Sequence, residues 1–492
     1  MMSRILCAIA LVLVTALAPA WAQPAGAPTG VAPDPSTLTK EQIAALETPA
    51  AVSRLAATYK KQGDYEHLKW ALERLAVLMP NSGDTRLALA TTYALLDEKT
   101  NAYNLLLAMQ KQGFGFDLSK DENFEKISHT RLWPYILQGL ESNRKPFGEG
   151  KVEYTLPGGD HLYDSLAYDP ERGRLLVGSV RDGTIRIVGK GGSLEDFIAP
   201  EAENGLWSVY AMAADAEADA LYVASTASVY YKGFDEKHFG QAGVFKFQLS
   251  SGKLLAKYLL PSGRQPNTLS SIAAGHGMVF AADGLRNVIY RLDGDSLKPT
   301  VANPRLNSIR GLAISPDGKR LYFADYMMGL FGVDLAGGAG FDIAYDPKQL
   351  TLGGIDGVYA YENTLVVIQN GMTPRRVMRL RLAPDGRAII GAMALDAGKP
   401  EFTLPTYGAI GGDRLYFIAN SQRGAYDAYG NPKSDSKIAP VKVYASDLRF
   451  EWDESMTGPM AVPAKPPVIS ESRPGSGVFS NVEGGSQSVT GD

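Results

Sequence analysis

The sequence predicts a mainly β protein with an α-helical N-terminal domain: a six-bladed β-propeller preceded by a tetratricopeptide-like helix-pair repeat. Three observations carry this. Apolar residues recur at three-to-four-residue steps up to about residue 145 and at every second residue from Val152 onward. A strand-turn-strand module returns six times in the second part, and a helix-pair motif returns once in the first.

The chain begins with a positive charge at Arg4, an apolar run from Ile5 to Leu17 and a small-x-small site, Ala20-Trp21-Ala22. That order reads as a secretory signal peptide over residues 1–22, so a periplasmic or secreted location is expected. The run is shorter than the ~20 residues a membrane span needs, so no membrane span is expected after cleavage. Residues 23–38, rich in Pro, Gly and Ala, read as a flexible linker, and residues 457–492 as a disordered tail.

A helical domain is expected over residues 39–145. Leu55-Ala56-x-x-Tyr59 returns as Leu89-Ala90-x-x-Tyr93, a spacing of 93 − 59 = 34 positions, which is the tetratricopeptide period. Gly63-Asp64 turns the first helix pair, and Asp97-Glu98-Lys99 replaces that turn in the second. Such repeats dock other proteins, so a protein partner at the helical repeats is one expectation; packing against the following domain is the other.

The propeller is expected over residues 151–456. Its modules centre on Ser165-Leu166-Ala167, Ala211-Met212-Ala213, Ser271-Ile272-Ala273, Gly311-Leu312-Ala313, Gly357-Val358-Tyr359 and Gly408-Ala409-Ile410, each followed by a second apolar strand after a turn. Four-stranded blades around an axis account for the spacing. The unpartnered strand Val152–Leu156 is placed beside Val441–Tyr444 as the outer strand of the last blade, which closes the ring and hides both edges.

Composition narrows the function. With 49 Lys plus Arg against 53 Asp plus Glu and a net charge of −4, the chain lacks the basic footprint of a nucleic-acid binder. Its one cysteine, Cys7, lies in the leader, so disulfides, thiolate metal sites and cysteine nucleophiles are excluded from the expected mature protein.

On Tyr168-Asp169-Pro170-Glu171-Arg172-Gly173-Arg174, Gly311-Leu312-Ala313-Ile314-Ser315-Pro316-Asp317-Gly318 and Ile355-Asp356-Gly357-Val358, the β part resembles the gluconolactonase and senescence-marker-protein (regucalcin) family of six-bladed propellers. The resemblance implies hydrolysis of lactones or related esters, and one axial divalent cation such as calcium, zinc or manganese. Its ligands stand at the inner-strand starts of the first, third, fourth and fifth blades, which by register are Asp164, Ser270, Arg310 and Asp356 here, with Tyr210 and Tyr407 at the equivalent positions of the second and sixth. Asp356 would then be metal ligand or base, and Asp164 a shortened acid at the family's glutamate position. Arg310 argues against the metal, because a guanidinium cannot coordinate a cation and repels one nearby. A slip of register would bring Asn307 or Asn267 to the axis instead.

Taken without the resemblance, the same six residues define a polar ring at one end of the channel. Arg310 with Asp164 and Asp356 is a structural ion network, a metal-assisted catalytic site, or a recognition site in which Asp164, Tyr210, Ser270, Arg310 and Tyr407 bind a small molecule bearing a carboxylate or carbonyl, which the resemblance would make a sugar-derived lactone. His161 is the histidine placed to serve as a general base; a plain loop histidine is the alternative. Two aromatic-rich segments, Thr226 to Gln241 and Asn420 to Lys437, should lie on the face of the ring as binding loops or as packing. Two classes of function remain at this point: a lactone or ester hydrolase, and a non-catalytic ligand-binding or protein-interaction scaffold.

Overall fold

A computed structural model describes residues 37–201, 204–263, 265–434 and 437–449. The expected leader and C-terminal tail, and nearly all of the expected linker, lie outside the described residues. No helix among the described residues is long and apolar enough to cross a membrane.

The chain divides into two compact units. The described part of the first comprises residues 37–106 and 122–129. It is built from α1 (Lys40–Ala44), α2 (Pro49–Gln62), α3 (Tyr65–Leu78), α4 (Gly83–Leu95), the first half of α5 (Lys99–Lys111) and the short α6 (Glu125–Ser128). Helix starts recur at 83 − 49 = 34 and 99 − 65 = 34 positions. Gly63 ends α2 with φ +71, and Asp97, 34 positions on, takes φ +60 at the corresponding turn. A conformation natural to glycine is thus imposed on an aspartate, one of the few other residues that tolerates it. Ala56 and Ala90, both buried, let the helices approach, and Tyr59 is fully buried in the first pair.

The described part of the second unit comprises residues 107–121 and the described residues from Thr130 to 449, including α7 (Leu132–Arg144). It contains six four-stranded antiparallel sheets. Their innermost strands are Tyr163–Asp169, Ser208–Asp215, Leu269–Gly275, Ile309–Ile314, Ile355–Tyr361 and Gly408–Gly411. Five sheets are consecutive meanders; the sixth takes its outer strand, Lys151–Leu156, from the start of the propeller, paired with Val441–Asp447. The ring is therefore closed by backbone hydrogen bonds as the unpartnered first strand required. Apolar layers between blades hold it, as where Leu176 and Ile185 of the first blade meet Val209, Val223 and Phe245 of the second.

The innermost strands share one irregularity. In the first five blades, pairing with the second strand skips at Asp164, Tyr210, Ser270, Arg310-Gly311 and Asp356. Each is a β-bulge, an extra residue that bends the strand and re-aims a side chain. Bulges at equivalent points around a ring turn five side chains toward one end of the axis.

Candidate functional site at the axial mouth

The bulged residues build the site. Asp164 is fully buried; its Oδ1 accepts from Thr406 Oγ1 at 2.9 Å, and its Oδ2 accepts from Arg423 Nε. Burial pushes the Asp164 carboxyl upward, against the pull of Arg423 and the Thr406 hydroxyl. Burial lowers the Arg423 guanidinium in turn, but Asp164, Tyr407 and Asp356 outweigh it and hold it above its ordinary value.

Asp356, two blades round the ring from Asp164, has a circuit of its own. Its Oδ2 accepts from Asn370 Nδ2 at 3.0 Å, while Asn370 Oδ1 accepts from Tyr326 at 2.8 Å. The Arg310 guanidinium lies over the Tyr326 ring at 5.5 Å, and its Nε is 3.7 Å from Asp356 Oδ1, an ion pair too long for a hydrogen bond. Arg310 and Asp356 meet because Gly311 lets the fourth and fifth inner strands touch: a Cβ there would stand 2.3 Å from Val358 N.

Tyr210 donates to Ser228 Oγ at 3.0 Å. Burial pushes the Tyr210 and Tyr407 phenols up to about 12, so both remain protonated donors at neutral pH. Three buried polar atoms of the ring, Ser270 Oγ, Arg310 Nε and Tyr407 Oη, have no hydrogen-bond partner among the described residues. Ser270 and Tyr407 are only 8% and 6% exposed, so neither group is compensated by free access to water.

The remaining expected positions fall elsewhere. Asn307 is exposed and its side chain donates to Arg305 O, whereas buried Asn267 is turned toward Gly240 O and Pro261 O. Neither residue is the bulged position of its strand. His161 binds Asp182 Oδ2 through Nδ1 and stacks on Tyr163, with ring centroids 5.2 Å apart. Its place is in a loop network with Asp182 and Lys232, whose Nζ is 2.6 Å from Asp182 Oδ1.

Both aromatic segments join the second and third strands of their blades, on the face of the bulges. Arg181 ties them together: it grips Asp160 through two contacts of 2.7 and 2.9 Å and donates to Tyr230 O and Gly430 O. Tyr426 closes the network by donating to Asp160 Oδ1 at 2.9 Å. Arg423, on the second loop, reaches the axis from this anchored base.

An axial divalent cation does not fit these residues. A guanidinium lies against each acid, Arg423 bonded to Asp164 and Arg310 beside Asp356, and these fixed positive charges repel a cation at the same place. Among the described residues no three His, Cys, Asp or Glu side chains gather as a metal cluster.

The architecture is that of a six-bladed β-propeller with a polar ring at its loop-bearing mouth. The chain matches no family model and no curated protein. Similar solved structures include a putative oxidoreductase (glucose dehydrogenase) from Thermus thermophilus, 18% identical, covering 60% of this chain and 99% of that one with a TM-score of 0.42. A gluconolactonase from Xanthomonas campestris is 14% identical, over 63% and 93% of the two chains, with a TM-score of 0.40. The RRP9 WD40 repeats align over 61% and 100% at 11% identity and a TM-score of 0.38.

Proposed function

We propose that the protein is an exported binding protein or enzyme for a small oxygen-rich organic molecule, held at the axial mouth of the propeller. The observation that carries this is a set of three buried polar atoms on the ring, Ser270 Oγ, Tyr407 Oη and Arg310 Nε, that make no hydrogen bond among the described residues. An unsatisfied buried donor costs about 1–3 kcal/mol, and a ligand that supplies acceptors recovers that cost on binding. Loops rich in aromatics stand around the same mouth, as in sites that enclose a ring or sugar.

Hydrolysis of a lactone or ester is the more specific reading, supported by the resemblance of the Asp356-Gly357 step and its flanking strand to the gluconolactonase family. In that reading Asp356, oriented by Asn370, is the base that draws a proton from water, and Arg310 with Tyr407 holds the carbonyl oxygen as negative charge develops. A scaffold role rests instead on the 34-residue recurrence of helix starts.

The test is a thermal-shift and turnover panel of sugar lactones, simple esters and the corresponding acids, on wild type and Tyr407→Phe. Stabilisation by a member of the panel, weakened about tenfold in affinity by Tyr407→Phe, supports the site, and product formation lost in Asp356→Asn supports hydrolysis. A protein that no member stabilises and that cleaves none of them refutes the reading.

A further inference from the structure

We infer that the axial site takes an organic carboxylate and holds it with two guanidiniums, without a divalent cation. The inference rests on the small-molecule site proposed above and names the chemistry of its ligand.

Donors and acceptors at the mouth are unbalanced. Three of the four carboxylate oxygens already accept hydrogen bonds, both of Asp164 from Thr406 and Arg423 and Asp356 Oδ2 from Asn370, while Asp356 Oδ1 faces Arg310 Nε at 3.7 Å. What stays unused is donor capacity. Arg310 Nε makes no hydrogen bond, its ion pair with Asp356 being too long for one; Tyr407 offers a phenol that remains protonated, and Ser270 offers a hydroxyl. Arg423 spends Nε on Asp164, which leaves its two Nη groups outside that bond, and its guanidinium lies 5.9 Å from the Tyr407 ring centroid. An arginine carries five N–H donors and no acceptor, so a site of this kind is completed by a molecule that brings lone pairs.

Charge chooses among such molecules. Arg310 and Arg423 balance Asp164 and Asp356, so the four groups sum to zero. A monoanion gains charge-assisted bonds from the guanidiniums at modest repulsion from the acids. A phosphate dianion doubles attraction and repulsion alike and costs more to desolvate, and a neutral lactone forgoes the charge-assisted bonds. The positive charge that a metal would supply is already covalently present, on the fourth inner strand and on the loop of the sixth blade.

The experiment is calorimetric titration of the full chain, with EDTA and separately with calcium. Gluconate is compared with gluconamide, lactate with lactamide, and inorganic phosphate is run alongside. At least one carboxylate should bind about tenfold or more tightly than its amide, equally in EDTA and in calcium. Arg310→Gln should weaken it at least tenfold while Arg310→Lys retains part of the affinity. If Arg423→Gln folds poorly, the Arg310 pair alone decides. Equal affinity for acid and amide, a calcium requirement, or tighter binding of phosphate would overturn the inference and leave the site reading intact. If nothing charged or neutral binds, both fall.

Discussion

Arg423 and Asp164, 259 residues apart in sequence, form an ion pair in which Arg423 Nε donates to a fully buried carboxylate. The pair joins the loop of the last blade to the innermost strand of the first, beside the seam where the ring closes. Arg423→Ala would leave Asp164 with Thr406 as its remaining hydrogen-bond partner. Breaking a buried pair costs about 3–5 kcal/mol, and the low end applies because the Arg423 side chain is 32% exposed. Asp164→Asn in the same background should recover a large part, since a neutral amide needs no counter-charge. Denaturant unfolding of the two variants measures this; a double variant no more stable than Arg423→Ala would show that the pair is not the source of the loss.

The same pair makes a pH prediction. Asp164 is held above its ordinary value, chiefly by burial, so the folded state keeps this proton to higher pH than the unfolded chain does. Its contribution to stability therefore falls as pH rises from the unfolded carboxyl value of about 3.9 through the raised folded one. Arg423 opposes that rise, so removing it lifts the folded value further and widens the window. The penalty of Arg423→Ala should be smaller at pH 5 than at pH 7.5. A penalty independent of pH over that range would mean that Asp164 is not the group left uncompensated.

Backbone approach at Gly311 can be tested separately. A methyl group at this position would stand 2.3 Å from Val358 N and 3.0 Å from Gly357 Cα, and backbone on both sides cannot swing away. Gly311→Ala should cost about 1–3 kcal/mol, as overpacking does, and should separate Arg310 from Asp356. Melting curves read the first effect. Loss of any measured ligand affinity beyond what the stability change explains reads the second.

Much of this architecture was legible because a propeller repeats itself. Six copies of one module gave the blade count, and the unpartnered strand Val152–Leu156 gave the closure. The ring positions followed from aligning strand starts, and in five blades they coincide with bulges that no single copy would reveal. Arg423 escaped because it lies in a loop outside the repeat, in a segment conspicuous for its aromatics rather than its charge. Asn370 and Tyr326 carried a usable signal: each directly follows the end of a second strand, at Gln369 and Asp325, so they occupy equivalent places in adjacent blades. The pairing of His161 with Asp182 had none, since it depends on how two turns of the first blade fold toward each other.

The loop-bearing mouth should depend on Arg181. Its side chain is 10% exposed; one edge grips Asp160 at 2.7 and 2.9 Å, and Nη1 donates to Tyr230 O at 2.6 Å and Gly430 O at 2.8 Å. One residue thus fastens the loop of the second blade and the loop of the sixth to the first. Arg181→Lys keeps the charge but cannot reproduce a planar fork with donors on two sides, so it should behave nearly as Arg181→Ala does. Amide hydrogen exchange should quicken at residues 228–234 and 424–433 in both variants while the innermost strands keep their protection. Because Arg423 reaches the axis from the second of these loops, ligand affinity at the mouth should fall as well, by about tenfold. Faster exchange confined to one loop would mean that the other is held by its own contacts, such as the bond from Lys433 to Gly424 O, and that Arg181 is not their common anchor.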